Sequence, residues 1–283
     1  MFLNLTSRTR NKLLLLAPAA ASLETFTGKV ISSEHMHSEL LADAQRLRGR
    51  VYLDDAAIGA SELTSDGRHI SALDEHSWHL LTVSPSGRAV GCTRFRQHPN
   101  TVNAGELCVS KAPLAKSAHW GPRFLASIDS EIHSARSAGF PYVEVGGWAL
   151  DREIRGTSAA LNSVLATYAW SQLQGGALGV STATERNGSA AILRRLGGSP
   201  LEHDGAALPA YYDESYKCMM EVLRFDSRNP NRKYAGMIQS LADQLSTGPI
   251  VRRAPLGRRP PRVLPAPSPA PSFHWLNAFE ATA

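Results

Sequence analysis

The stretch from residue 142 to residue 161 constrains the fold more than any other part of the chain. Its first half, 142–150, is rich in β-forming residues that fit no helical period, which predicts a strand. The pair Gly146-Gly147 interrupts that strand and predicts a β-bulge or a close backbone approach. Small residues then lead into an apolar helix predicted over 158–174. The sequence therefore places a strand, a small-residue turn and a helix N-terminus in direct succession.

The turn that opens this helix admits two interpretations. Unpaired backbone N–H groups at the positive end of a helix dipole, with no bulky side chains nearby, suit a phosphate or a pyrophosphate. The same composition also suits an ordinary strand-to-helix connection in which small residues serve packing. The residues of the turn are Arg155, Gly156, Thr157, Ser158, Ala159 and Ala160.

Two segments resemble signatures of the GNAT superfamily of N-acyltransferases. Residues 155–160 match the arginine and the final alanine of its phosphate loop, Arg/Gln-x-x-Gly-x-Gly/Ala, with Ser158 at the usual glycine. Residues 187–198 resemble the signature Asn-x-x-Ala-x-x-Leu-Tyr-x-x-Leu-Gly-Phe. The resemblance implies that Asn187 contacts the pantetheine arm of a thioester donor, although an asparagine there is also a good helix cap. The family tyrosine falls on Leu193 or Arg194, so no tyrosine stands at that position.

A third segment resembles one branch of the same superfamily, the acyl-homoserine-lactone and long-chain N-acyl amino acid synthases. Their strand reads Glu-x-Ser-Arg-Phe-Ala-Val, and Glu144-Val-Gly-Gly-Trp-Ala-Leu150 occupies that frame. The glutamate, the aromatic residue and the alanine match, whereas Gly146 and Gly147 replace the Ser-Arg pair. The resemblance implies a function in acyl transfer.

The order of predicted elements fits this fold. Strands predicted over 77–83 and 89–97 form a hairpin, a further strand is predicted over 106–110, and a helix over 117–138. Later elements are a strand at 178–183, one at 216–225 and a closing helix at 234–245. We expect an α/β (α+β layered) fold with a GNAT-like mixed, mostly antiparallel central sheet flanked by helices. No Gly-x-Gly-x-x-Gly follows a strand and no Gly-x-Ser-x-Gly occurs, which disfavours Rossmann enzymes and serine hydrolases.

The catalytic assignments follow from the chemistry of acyl transfer to an amine. A protonated amine cannot attack a thioester, so a base is needed, and Glu144 on the central strand is the candidate; the alternative is a carboxylate on an exposed strand face. Backbone N–H groups near the glycine pair would stabilise the oxyanion and contact the donor. The donor-contacting residues expected on this strand are Gly147, Trp148, Ala149 and Leu150. Arg94 is the candidate contact for the polar substrate, or else a solvated arginine on a half-exposed strand.

Three functions remain open at this point. The first is an N-acyltransferase that moves an acyl group from acyl-CoA or an acyl carrier protein to a small amine such as an amino acid. The second is an acetyl-CoA-dependent N-acetyltransferase, and the third is a non-catalytic sensor that binds acyl thioesters. We expect the thioester to be a co-substrate, with no permanently bound cofactor and no metal.

The charge and the ends of the chain set the predicted domain limits. The net charge of +5 resides in 1–30 and 248–283, since residues 31–247 hold 21 basic and 23 acidic residues. This balance gives no support for nucleic-acid binding. Apart from the apolar run in the leader that begins at Leu13, no run approaches the length of a membrane span. Three scattered cysteines favour a reducing, cytoplasmic compartment. We predict a disordered or signal-like leader at 1–35, an acyltransferase domain at 36–247 and a Pro/Arg-rich disordered tail at 248–283.

Overall fold

The computed structural model of this chain describes residues 11–254, apart from residues 25 and 27. The strands in this range are β1 (Lys12–Leu16), β2 (Val30–Ser32), β3 (Trp78–Val83), β4 (Ala89–Gln97), β5 (Tyr142–Leu150), β6 (Leu178–Thr184), β7 (Ser199–Pro200), β8 (Glu202–His203), β9 (Ala206–Ala207), β10 (Tyr211–Asp213), β11 (Cys218–Asp226) and β12 (Ile250–Arg252). The helices are α1 (Glu34–Asp54), α2 (Pro113–Lys116), α3 (Gly121–Ser137), α4 (Ser158–Leu173), α5 (Ser189–Leu196) and α6 (Ala235–Thr247).

One large sheet organises the molecule. Its strand order is β10-β11-β6-β5-β4-β3-β1-β12-β2, with β7 paired to β11, while β8 and β9 form a separate hairpin. Three neighbouring pairs are parallel, namely β5–β6, β1–β12 and β12–β2. The other neighbours in the large sheet are antiparallel. The predicted α/β fold with a mixed, mostly antiparallel sheet flanked by helices is confirmed.

Helices cover both faces of the sheet. Successive residues of β5 point to opposite faces, so Tyr142 joins the cluster with Phe124 of α3, whereas Val143 joins the cluster with Leu165 of α4. Helix α6 packs on the α4 side through Leu241. Helix α1 lies on the other face, against residues of β3 and β4. The central strand β5 is therefore sandwiched between two apolar layers.

The strand predicted over 106–110 is wrong. That segment forms two short 3₁₀ turns, Ala104–Glu106 and Cys108–Lys111. The side chain of Asn103 accepts from the Gly105 N–H at 3.0 Å, and Glu106 accepts from the Asn103 N–H at 2.9 Å. These local bonds satisfy backbone groups that a strand would leave for a ladder.

The domain limits also need correction at both ends. Residues 12–16, predicted as part of a disordered or signal-like leader, form β1, and Leu15 and Leu16 are 1% and 0% exposed. Residues 250–252, predicted as part of the tail, form β12, which pairs in parallel with β1. In both cases burial of apolar side chains between helices outweighs the cost of ordering the segment. The predicted leader also holds β2 and the first residues of α1, whereas residues 1–10 and 255–283 lie outside the described residues.

Over the described range, no helix is both long and apolar enough to cross a bilayer.

Candidate functional site

The glycine pair in β5 forms the predicted bulge. Opposite it, β4 pairs Cys92 with Ala149 and Arg94 with Gly146, so that one residue of β4 faces both Gly147 and Trp148. Gly147 has a φ of +64°, and a Cβ at this position would lie 3.2 Å from the Arg94 Cβ. The left-handed backbone and the close arginine together explain why glycine stands here.

Beyond this bulge the two central parallel strands separate. Strands β5 and β6 pair only over 142–144 and 178–180, although they continue to residues 150 and 184. The gap opens into a cavity of about 680 Å³, which is lined by residues of β4, β5, β6, α1, α4 and α5.

Most of the predicted site residues meet in this one cavity. The predicted residues that line it are Arg94, Glu144, Gly147, Trp148, Ala149, Leu150, Arg155, Gly156, Ala160 and Asn187. Thr157, Ser158 and Ala159 do not line it, since the first two are exposed and Ala159 packs against the apolar cluster that contains Ile154. The predicted strand residues and parts of both loops therefore lie around one cavity, whereas three residues of the phosphate-loop candidate do not line it.

The start of α4 is a capped helix terminus. The hydroxyl of Thr157 accepts from the Ala159 N–H at 3.2 Å and donates to the Ile154 carbonyl at 2.7 Å. Arg155 Nε donates to the Leu150 carbonyl at 3.0 Å, and its two Nη atoms donate to the Asp55 carboxylate at 3.1 and 3.3 Å. The loop is thus tied to the end of α1 and presents a cation at the edge of the cavity.

The second signature segment also reaches the cavity, through Asn187. Asn187 is exposed and does not cap α5, whose N-cap is Gly188 with a φ of +70°. The adjacent Arg186 donates to the Asp55 backbone carbonyl at 2.6 Å, which joins this segment to α1. Leu193, one of the two residues at the family tyrosine position, lines the cavity as an apolar side chain.

Glu144 lies in the cavity wall with both carboxylate oxygens engaged. Oε2 accepts from His98 Nε2 at 2.9 Å, and Oε1 accepts from the Val109 N–H at 2.9 Å. Burial acts to raise the pKa of Glu144, but the hydrogen bonds from His98 and from the Val109 and Cys108 N–H groups outweigh it. The pKa therefore lies below its ordinary value of 4.5, and the group is an ionised carboxylate at neutral pH.

A buried ionic cluster that the sequence did not reveal supports the other side of the cavity. Asp74 accepts from Arg48 through both oxygens, at 2.7 and 2.6 Å, and Arg94 Nη1 lies 3.4 Å from the same carboxylate. Burial acts to raise the pKa of Asp74, and the Arg48 hydrogen bonds override it and hold that pKa well below its usual range. Arg94 and Arg48 both line the cavity, so this cluster places positive charge there.

The missed residues carried weak signals. Arg48 lies on the apolar face of the first helix, between Leu47 and Val51, where a charge needs a buried partner. His98 continues the alternation of Arg94 and Arg96 on one face, one residue beyond the strand that periodicity predicts. Within the described part of the chain, no three His, Cys, Asp or Glu side chains converge as metal ligands would.

Comparisons with known proteins identify the fold. No protein-family model matches the sequence, and no curated protein matches it. Among solved structures, the chain is similar to a CoA-dependent acyl-homoserine lactone synthase, BjaI, with SAM and isopentyl-CoA, at 16% identity and a TM-score of 0.52 over 87% of this chain and 94% of that chain. This chain has an acyl-homoserine lactone synthase fold. The structure of BjaI with MTA gives 17% identity and a TM-score of 0.51 over the same shares of the two chains.

A more distant similarity involves an N-acyl amino acid synthase. FeeM, an N-acyl amino acid synthase from uncultured soil microbes, is 8% identical with a TM-score of 0.46, over 77% of this chain and 92% of that chain. This likeness is too slight to support an argument. The motifs in 144–161 and 187–198 thus predicted the fold correctly at an identity where comparison of the whole sequence with curated proteins finds no match.

Proposed function

We propose that this protein is an N-acyltransferase that moves an acyl group from a thioester to the amine of a small α-amino carboxylate. The observation that carries the proposal is the single cavity between β5 and β6. It joins Arg155 and Gly156, which precede the N-terminus of α4 and suit the donor, to a wall of Glu144, Arg94 and Arg96, which suits the acceptor.

The donor end is the rim formed by Arg155, Gly156 and Asn187. Positive helix ends and arginine side chains bind phosphate groups, and coenzyme A and the acyl carrier protein arm both carry phosphate. BjaI, which shares the fold, was solved with isopentyl-CoA, so an acyl-CoA is the donor we place first and an acyl carrier protein the second. Because both thioesters belong to the cytoplasm, this proposal implies a cytoplasmic enzyme.

The acceptor end carries charges of both signs at short range. Glu144 is an ionised carboxylate, Arg96 Nη1 lies 4.0 Å from it, and Arg94 lines the same cavity with its side chain 16% exposed. A zwitterion fits such a wall, because its ammonium pairs with the carboxylate and its carboxylate pairs with a guanidinium. SAM, which BjaI was solved with, is an α-amino carboxylate and is the first acceptor to offer.

The chemistry needs the ammonium of the acceptor to lose two protons, one to water before the attack and one to Glu144 after it, and it needs one stabilised oxyanion. The amine nitrogen attacks the thioester carbonyl carbon, and the negative charge that develops on oxygen faces the bulge at Gly147 and Trp148, whose backbone N–H groups would donate to it. The nitrogen becomes acidic as the C–N bond forms and loses a proton to the Glu144 carboxylate. The C–S bond then breaks and sulfur departs as a thiolate, which is stable enough to leave without a tyrosine acid.

The test is thiol release by the purified protein in the presence and absence of an amine. Acetyl-CoA, isopentyl-CoA, palmitoyl-CoA and a palmitoyl carrier protein are offered with SAM or with pooled amino acids, and products are identified by mass spectrometry. We expect amine-dependent release together with an acylated amine. Release from acetyl-CoA alone supports an acetyltransferase instead, and binding of thioesters without release from any donor supports a sensor.

A further inference from the structure

The end of β4 brings a histidine to the carboxylate that faces the cavity. Arg96 pairs directly with Glu144 in the antiparallel ladder, and the His98 N–H donates to the Tyr142 carbonyl at 3.0 Å, one step further along. Side chains two residues apart on a strand share a face, so His98 is the diagonal neighbour of Glu144. The sequence thus sets a histidine against the carboxylate by register alone.

The contact is short, buried and directional. The His98 side chain is 2% exposed, and its Nε2 lies 2.9 Å from Glu144 Oε2. An ionised carboxylate only accepts hydrogen bonds, so Nε2 carries the proton and donates it. The Val109 N–H occupies the other oxygen at 2.9 Å, which leaves the carboxylate little freedom to rotate.

We propose that His98 is a positioning residue for acyl transfer, which fixes the orientation of Glu144 in the cavity wall and maintains it as an ionised carboxylate. This inference rests on the proposed function, since it gives Glu144 its task. Burial alone favours the protonated form of a carboxyl group, which neither attracts an ammonium nor accepts a proton. The hydrogen bond from His98, on the buried side, stabilises the ionised form of Glu144, while the exposed part of the carboxylate stays available to substrate.

Other charged groups around Glu144 do not replace this contact. Arg96 reaches only 4.0 Å from Oε2 and is 24% exposed, and the side chain of Cys108 receives a hydrogen bond from that same arginine at 3.6 Å. Lys111 and Arg94 line the same cavity, and burial raises the pKa of the neighbouring Tyr142 well above its ordinary value, so it stays neutral. Of these groups, His98 is the side chain that bonds the carboxylate directly.

A matched pair of variants tests the proposal. In His98→Gln the amide nitrogen replaces Nε2 and retains the donor, whereas in His98→Asn the shorter side chain places its nitrogen out of reach of Glu144. A hydrogen bond to a charged group corresponds to about a tenfold to hundredfold effect. We expect kcat to fall by about that factor in His98→Asn with the donor KM unchanged, and to stay within about threefold of wild type in His98→Gln.

The pH profile distinguishes positioning from a general packing role. Without the hydrogen bond from residue 98, burial raises the pKa of Glu144. The acid limb of the kcat/KM profile therefore moves to higher pH in His98→Asn and does not move in His98→Gln. Equal losses in both variants, or no loss in either, would overturn the proposal. If His98→Asn does not fold, a folded but inactive His98→Gln would overturn it equally.

An infrared measurement separates this inference from the proposed function. The band of ionised Glu144 is identified by subtraction of the Glu144→Gln spectrum. On acidification this band should persist down to pH 5 in wild type, whereas in His98→Asn it should disappear at a pH above 5. A wild-type protein that transfers no acyl group contradicts the proposed function, whereas an unchanged band in His98→Asn contradicts the role of His98.

Discussion

Arg48 and Asp74 form a buried ion pair in which both side chains are 2% exposed and the closest nitrogen and oxygen lie 2.6 Å apart. Gln45 and the Ser71 N–H also donate to this carboxylate, at 3.0 and 3.1 Å. The pair connects α1 to the loop before β3 and holds Arg94 at the cavity. Its geometry is that of a scaffold for the acceptor side, because all of the acceptor capacity of Asp74 is used inside the protein.

We therefore predict that Asp74→Asn lowers the free energy of unfolding by about 3–5 kcal/mol, because it leaves the buried Arg48 charge without a partner. Urea denaturation at pH 7 measures this. Asp66→Asn is the matched control, since Asp66 pairs with Arg46 and Arg68 at the surface, where the bridged side chains are 33–42% exposed, and we expect no measurable change. A loss in both variants of equal size would contradict the scaffold role.

The same pair predicts a pH dependence. The pKa of Asp74 in the folded protein lies below its ordinary value of 3.8, so its contribution to stability is complete above that value and is lost as the pH falls through the folded pKa. The difference in unfolding free energy between wild type and Asp74→Asn should stay constant from pH 6 to pH 8 and narrow below about pH 4. A difference that grows on acidification would contradict the assignment.

The bulge gives a further prediction. Gly147→Ala places a Cβ 3.2 Å from the Arg94 Cβ and 3.4 Å from Arg48 Nη1, at a φ of +64°. We expect a loss of about 1–3 kcal/mol in stability together with a fall in acyl transfer, because the bulge and Arg94 are both displaced. Gly87→Ala is the control, with a φ of +87° and no atom within 4 Å of the added Cβ. It should cost stability alone, and equal loss of transfer in both variants would count against the bulge.

The sequence predicted the central part of this site because its signals are local. The strand at 142–150, the bulge at Gly147 and the helix from Ser158 each depend on residues within a few positions, and all three are confirmed. The pair of Arg48 and Asp74 could not be predicted, because its partners lie 26 residues apart and meet only through tertiary packing. His98 was missed for a related reason, since its contact depends on strand register rather than on composition.

The ends of the domain could not be predicted for a different reason. Lys12–Leu16 has the composition of a signal-like segment, and only its pairing with β3 and β12 makes it a strand of the core. The segment 106–110 resembles a strand because its middle residues, 107–109, are apolar, yet the local bonds of Asn103 and Glu106 decide its shape. In both segments apolar composition alone did not determine the structure.

The correction at the N-terminal side is itself testable. Leu16 is 0% exposed in β1, so Leu16→Ala should cost about 2–5 kcal/mol of unfolding free energy. Val30→Ala is the control, because Val30 is 36% exposed and should change stability by under about 0.5 kcal/mol. Thermal or urea denaturation measures both, and an unaffected Leu16→Ala would mean that β1 does not belong to the core.

The donor rim predicts a difference between two neighbouring arginines. Arg155 lines the cavity and bonds Asp55, whereas Arg152 is 78% exposed and pairs with Asp54 outside it. Arg155→Gln should weaken acyl-CoA binding about tenfold, because a charge-assisted contact to phosphate is lost, and Arg152→Gln should leave it unchanged. Isothermal titration with isopentyl-CoA measures the two dissociation constants. Equal values would place the phosphates elsewhere.

Glu144 gives the prediction that bears most directly on the reaction. Glu144→Gln keeps the shape of the side chain and removes its ability to accept a proton, so turnover should fall by about 10²–10⁴-fold. Binding of the thioester should survive, because the residues of the donor rim are unchanged. Glu202→Gln, an exposed substitution in β8, is the control and should match wild type.

The pH dependence of acyl transfer tests the protonation state assigned to Glu144. The pKa of Glu144 lies below 4.5, so the carboxylate is already ionised across the neutral range and its protonation should not limit the wild-type rate above about pH 5. A rate that falls below pH 6 with the titration of Glu144 would contradict this assignment. Unchanged turnover in Glu144→Gln would remove Glu144 from the mechanism, and retained binding with no turnover in wild type would favour the sensor.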